Sequence, residues 1–160
     1  MIHIRKGARE DMASVFALVK ELAEYEKEPQ AVKTSIEIYQ RDGFDVERPL
    51  FEVFVAENEE KEIVGIALFY FGYSTWKGKM LYLDDLVVSE NHRRKGIGKK
   101  LMDRLVAYAQ EKDAQIIKWQ VLHWNTPAIE MYKSLGAVMD EEWIDCKLYK
   151  DQMAEWATDS

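Results

Sequence analysis

The chain has a single cysteine, Cys146. It can therefore form no internal disulfide and no CxxC metal site. A lone thiol fits a reducing compartment, so a cytoplasmic location is expected. No apolar run is long enough to span a bilayer, and the opening MIHIRKGARED turns charged at once, unlike a secretory leader. Proline is scarce, with 3 residues, and the 8 glycines do not gather into a linker. No repeat or low-complexity tract interrupts the sequence, so one domain over residues 1–160 is expected. Basic charge is outweighed, with 22 Lys and Arg against 29 Asp and Glu, for a net charge of -7. That balance argues against a nucleic-acid backbone as partner and permits a small cationic one. His3, His92 and His123 lie far apart without ligand spacing, so no metal is expected.

What is present suits a packed domain. Hydrophobic residues make up 48% of the 160, enough for a sizeable core. IHIRKG alternates apolar and polar like a first strand. Asp11 can cap a helix whose apolar positions are Met12, Val15, Phe16, Val19, Leu22 and Ala23. Thr34 with Glu37 forms a capping box for a second, short helix that Gly43 ends. FEVFVAE and EIVGIALFYFGY flank the charged turn NEEKE and predict an antiparallel hairpin. KMLYLDDLVVSE predicts another strand, followed by a helix opened by glycines. AQIIKWQVLHW predicts a strand, and TPAIEMYKSLG a short helix capped by Thr126, with Pro127 in its first turn and Gly136 at its stop. WIDCKLYK predicts a last strand. The order β-α-α-β-β-β-α-β-α-β gives an α/β protein, a mixed sheet with helices packed on it. Cys146 reads as a buried small hydrophobe rather than a nucleophile, since no basic partner is visible.

The stretch HRRKGIGKKLMDRLVAYA carries the first chemistry. Glycine lets the backbone approach a ligand closely, and the first N–H groups of a helix lack internal partners. Together they can cradle an anion such as a pyrophosphate. Arg93, Arg94 and Lys95 add charge at the same mouth. Taken alone, a solvated basic turn with flexible glycines fits the stretch as well. A Walker A loop is excluded, because Arg93 stands at its first Gly and Lys100 at its Ser/Thr position. The dinucleotide fingerprint fails too, since its third Gly would be Leu101. What remains is Arg93-x-x-Gly96-x-Gly98 between a strand and a helix.

RRKGIG after YLDDLVVSE resembles the acetyl-CoA pyrophosphate motif, R/Q-x-x-G-x-G/A, of the GNAT superfamily of N-acetyltransferases. KELAEYEKE, FYFGYSTWKGKMLYLDDLVV, WNTPAIEMYKSLGA and the late EEW…CKL together resemble its spermidine/spermine and thialysine N-acetyltransferase group. The resemblance covers nearly the whole chain and is weakest over residues 28–49. It implies the GNAT fold, a central, mostly antiparallel twisted sheet flanked by helices. It implies acetyl-CoA as the acetyl donor, cradled by the backbone of Lys95, Gly96, Ile97, Gly98 and Lys99 with Arg93 and Arg94 beside it. Leu86, Val87 and Val88 would pair with the pantetheine arm like a neighbouring strand, although any buried strand shows such residues. Asn125, Pro127 and Ala128 would meet CoA at the start of the following helix, where Pro127 also serves simply as a helix starter.

The same resemblance implies the reacting groups. Tyr132, at the family spacing from Trp124 and Asn125, would be the acid for the departing thiolate. A phenol and a thiol have ordinary pKa values within roughly two units, so that transfer is not far uphill. An isolated Tyr on a short helix is otherwise a packing residue. Asp84 stands where relatives usually carry Glu, and would hold the amine and relay its proton through water with a side chain one methylene shorter. Successive strand residues face opposite sides, so Asp84 and Asp85 are expected to divide, one toward the cleft and one holding structure. Tyr25 and Glu26 would contact the cationic amine, as a carboxylate and an aromatic face can. Tyr25 packing on the sheet with Glu26 solvated is the plainer alternative. Asp85 and Trp119 complete the expected substrate contacts. The expected activity is acetyl transfer to a small diamine, polyamine or lysine-like amine by direct attack in a ternary complex, in a homodimer that engages neither nucleic acid nor membrane. A GNAT enzyme for another amine, or a non-catalytic acyl-CoA or polyamine sensor, are the alternatives.

Overall fold

A computed structural model describes residues 1–157. The chain divides into two compact units, Met1–Gln120 and the segment from Val121 onward.

The first unit is a five-stranded sheet with three helices. The strands are β1 (His3–Lys6), β2 (Glu52–Glu57), β3 (Ile63–Ser74), β4 (Gly78–Val88) and β5 (Ile116–Lys118). They lie in the order β1-β2-β3-β4-β5. The first three pairings are antiparallel, and β4 pairs β5 in parallel. That parallel step needs a crossover, which α3 (Ile97–Glu111) supplies. The mixed, mostly antiparallel sheet is the one the sequence predicts.

Strand alternation sorts the core into two faces. Val53, Val55 and Ile66 pack with Met12, Val15 and Leu18 of α1 (Met12–Tyr25). Their neighbours Phe54 and Phe69 turn the other way, 5.4 and 5.6 Å from the Tyr108 ring of α3. The α1 stripe includes Leu18, which the predicted list omits, while Val19 and Leu22 lie at the margin. α2 (Ile36–Phe44) seals the α1 face with Ile36, Tyr39 and Phe44.

Two predicted caps change hands. Asp11 precedes α1 but makes no side-chain cap there. Its carboxylate instead takes both Arg5 guanidinium nitrogens, at 2.7 and 2.9 Å, and the Ala8 N–H. For α2 the cap is Ser35, whose hydroxyl accepts from the Ile38 N–H at 3.1 Å. Thr34 is one residue too early, and Gly43 lies inside the last turn.

The second unit begins with α4 (Thr126–Ser134). Asn125 rather than Thr126 caps it, accepting from the Ala128 N–H at 3.5 Å. Gly136 follows with φ 88, the left-handed stop the sequence predicts. WIDCKLYK is not a strand, and its last residue opens a short helix, α5 (Lys150–Ala154). A strand needs a neighbour to satisfy its backbone, and this segment has no strand partner among the described residues. Cys146 is exposed there, not buried, because the segment around it is exposed as a whole. The strand predicted for AQIIKWQVLHW is likewise only Ile116–Lys118.

Candidate active site

Strand β4 carries two irregularities. The first is a bulge. Leu68 of β3 stands opposite Asp85, while Phe69 stands opposite Leu83, which leaves Asp84 as the extra residue. The bulge switches the strand's phase. Leu81 and Leu83 lie opposite Phe71 and Phe69 on the α3 face. Asp85 and Val87 lie opposite Leu68 and Ile66 on the α1 face. Asp84 keeps the parity of Tyr82, which is also the α1 face. The adjacent acids thus share one side of the sheet, and the expected division between two faces does not occur.

The electrostatics follow that geometry. Burial, then the charges of Asp84 and Glu26, push the Asp85 carboxyl up to about 7. The Asp84 side chain is exposed, yet the protein mass around it still raises its carboxyl. Burial also raises Glu26, which follows the last residue of α1. Two phenols feel the charge of the pair. Burial first, and then the charges of Asp85 and Asp84, raise Tyr39 on α2. Burial and Asp84 raise Tyr70, whose ring stacks on Tyr82 at 5.4 Å. Glu26 just after α1, Tyr39 of α2 and Tyr70 of β3 thus each lie within electrostatic reach of one or both acids on β4. Nothing in the spacing of the sequence marks Tyr39 or Tyr70, because they meet the acids only through tertiary packing.

The second irregularity is the loss of a neighbour. Pairing with β5 covers Met80–Tyr82 and ends there, although β4 runs on to Val88. Beyond it, Leu86–Val88 pair with no strand on that side among the described residues. Trp119 directly follows β5 and is half-buried.

Just beyond β4 lies the basic glycine loop. Gly96 caps α3 in the left-handed conformation, φ 77, and a Cβ built there would meet nothing within 4 Å. Arg94 is left-handed too, with φ 63. The first intrahelical bond is Lys100 N–H to Gly96 O, so the N–H groups of Ile97, Gly98 and Lys99 precede the helical ladder. Ile97 is buried and anchors this turn, while Arg94, Lys95 and Lys99 are exposed around it. Helical N–H groups ahead of the ladder, beside exposed cations, are the donor set that a pyrophosphate takes.

Arg93 does a different job from the one expected of a loose cation. Its Nε donates to Val88 O at 3.2 Å, its terminal nitrogen lies 3.9 Å from Glu21, and its guanidinium sits 5.3 Å from the Tyr25 ring centroid. It ties the loop to the end of β4 and to α1. Tyr25 is thus engaged by the cradle's arginine, and its neighbour Glu26 reaches the acidic cluster. In the second unit, Tyr132 is buried on α4 and Asn125 spends its side-chain oxygen on the helix cap. Pro127 and Ala128 occupy the first turn. Among the described residues no helix is long and apolar enough to cross a membrane.

Known proteins resemble this chain in sequence and fold. Residues 15–137 match the Acetyltransferase (GNAT) family. Thialysine N-epsilon-acetyltransferase of Bos taurus is 38% identical over 143 residues, covering 85% of this chain and 84% of that protein. The Mus musculus protein of the same name is 35% identical and covers 96% of both chains. An integron cassette protein from the mobile metagenome of V. cholerae superposes with a TM-score of 0.78 at 23% identity, covering 96% of each chain. Aminoglycoside N-acetyltransferase AAC(6')-Iy in complex with CoA superposes with a TM-score of 0.75 at 16% identity, covering 92% of this chain and 95% of that one. With a glycine cradle at the end of its bulged fourth strand and a family match over most of its length, this chain belongs to the GNAT family and is an acetyltransferase.

Proposed function

We propose that the chain is a single acetyltransferase domain that moves the acetyl group of acetyl-CoA to a primary amine of a small diamine, polyamine or thialysine-like substrate. The observation that carries this reading is an acid pair on β4 and a basic glycine turn just beyond it at the start of α3, with the bulge turning both acids toward α1. An alkylammonium with a pKa near 10 is almost fully protonated at neutral pH and cannot attack. Asp84 and Asp85 attract the cation, and Glu26 gives a second ammonium somewhere to sit. Asp85, pushed up to about 7, is a better proton acceptor than an ordinary aspartate. Similarity to proteins named for acetylating thialysine and, in Arabidopsis thaliana, L-ornithine at 32% identity supports a substrate with more than one polar end.

Acetyl-CoA, when bound, supplies an acetyl group already activated as a thioester. The Ile97, Gly98 and Lys99 N–H groups, with Arg94 and Lys95, bind its pyrophosphate in this reading. The Leu86–Val88 backbone orients the pantetheine, with Asn125 and its helix turn as further CoA contacts. Tyr132 donates a proton to the departing thiolate. Attack is direct, with both substrates bound, since no nucleophile for a covalent acetyl-enzyme stands out in the sequence. The working protein is a cytoplasmic homodimer in this reading. Steady-state kinetics with both substrates varied test it. Intersecting double-reciprocal lines are expected, and parallel lines would refute the ternary complex.

A further inference from the structure

Tyr39 has no role in the acetyl transfer proposed above, yet its position fits one. It lies on α2, on the face of the sheet that the bulge gives to Asp84 and Asp85. Tyr39 packs on the same cluster as Leu68, the register partner of Asp85. Its ring is gripped edge-on by Phe16 at 5.4 Å and Phe51 at 6.0 Å, so the phenol cannot swing freely. Both aspartate charges act on the phenol.

Chemistry says what such a group could do. After losing its proton, a primary amine keeps two N–H donors and one lone pair. The lone pair can aim at the acetyl carbon only if the two N–H groups are held elsewhere. One carboxylate is not enough, because the amine can still rotate about that bond. A fixed neutral oxygen beside the carboxylates supplies the second acceptor without a further charge. We propose that Tyr39 is a substrate-positioning and specificity residue, its phenol oxygen accepting a hydrogen bond from the reacting amine while its ring walls the amine site on the α2 side.

This inference rests on the acetyltransferase reading, and the test separates the two. Wild type, Tyr39→Phe and Tyr39→Leu would be assayed with spermidine, thialysine and a bulky aminoglycoside, alongside thermal melting. Tyr39→Phe keeps the ring and its aromatic contacts. Its kcat/KM for spermidine or thialysine should fall about tenfold, the size of one lost hydrogen bond at a desolvated site, with the KM for acetyl-CoA unchanged. Tyr39→Leu should in addition raise the relative use of the aminoglycoside, because the wall recedes. Tyr39→Phe kinetics equal to wild type, or a Tyr39→Leu protein that melts lower with unchanged amine selectivity, would reduce Tyr39 to packing and overturn the inference. A wild-type protein that acetylates none of these amines would instead overturn the functional reading beneath it.

Discussion

At the scale of single residues, Asp85 decides the most. Its identity as an acid was legible in LDDLVV. Which way each acid points was not, because simple alternation fails at a bulge that no Gly or Pro announces. An aspartate raised from 3.8 to about 7 in the folded protein holds its proton more tightly than the unfolded chain does. Stability is therefore full at acid pH and falls as pH climbs through that window, because the ionised form is the costly one. Asp85→Asn carries no charge to desolvate. It should melt a few degrees above wild type near about pH 8 and level with it near about pH 4, as scanning calorimetry can check. The same variant should acetylate amines poorly at every pH. In wild type, kcat/KM should rise with an inflection near 7 as Asp85 ionises, then continue upward as free amine forms. Loss of the lower inflection in Asp85→Asn, with Asp84→Asn retaining it, would identify Asp85 as the titrating member. For Tyr132, replacement by Phe should lower turnover by on the order of a hundredfold with little change in melting, if it is the acid.

At the scale of elements, α3 and the loop before it were the most readable part of the sequence. The glycines, the basic run and the 3.6-residue apolar stripe of Leu101, Leu105 and Ala109 point to one helix with an anion at its mouth. Its seating was not readable. Gly65 of β3 has Ile97, Leu101 and the Val87 carbonyl each 3.2 Å from where a Cβ would stand. A larger side chain there must press Ile97 and Leu101, in the first turns of α3, away from β3. Gly65→Val should therefore weaken CoA binding roughly tenfold by calorimetry while every residue of the cradle remains. Gly98→Val should do so more strongly, because it places branched carbon beside the N–H groups themselves. CoA binding at wild-type strength in a folded Gly98→Val protein would remove the pyrophosphate from this loop. The predicted last strand failed for a related physical reason. WIDCKLYK has the alternation of a strand, but alternation records which side chains want cover, not which chain provides it.

At the scale of the whole molecule, the uncovered apolar surface is concentrated late in the sequence. Val138, Trp143, Ile144, Leu148, Tyr149 and Trp156 are all exposed, with Val138 at 93% and Ile144 at 88%. A protein rarely leaves such a run in water, which favours the proposed dimer. Sedimentation should return twice the 18.7 kDa chain mass, and a Trp143→Ser, Ile144→Ser double variant should shift it toward the monomer. The fold class was legible because hairpins, caps and periodicity are local, whereas the two units and the segment after α4 depend on contacts the sequence does not spell out. The central claim is that this acetyltransferase takes a small polycationic or lysine-like amine. It is tested most directly by thiol release from acetyl-CoA across a panel of spermidine, short diamines, thialysine, amino acids, an aminoglycoside and a peptide N-terminus. The account predicts release at least about a hundredfold above the amine-free rate with a diamine, polyamine or thialysine, and its collapse in the Asp84→Asn, Asp85→Asn double variant. Acetyl-CoA binding with no amine-dependent release, or a clear preference for the peptide N-terminus that survives loss of both acids, would contradict it.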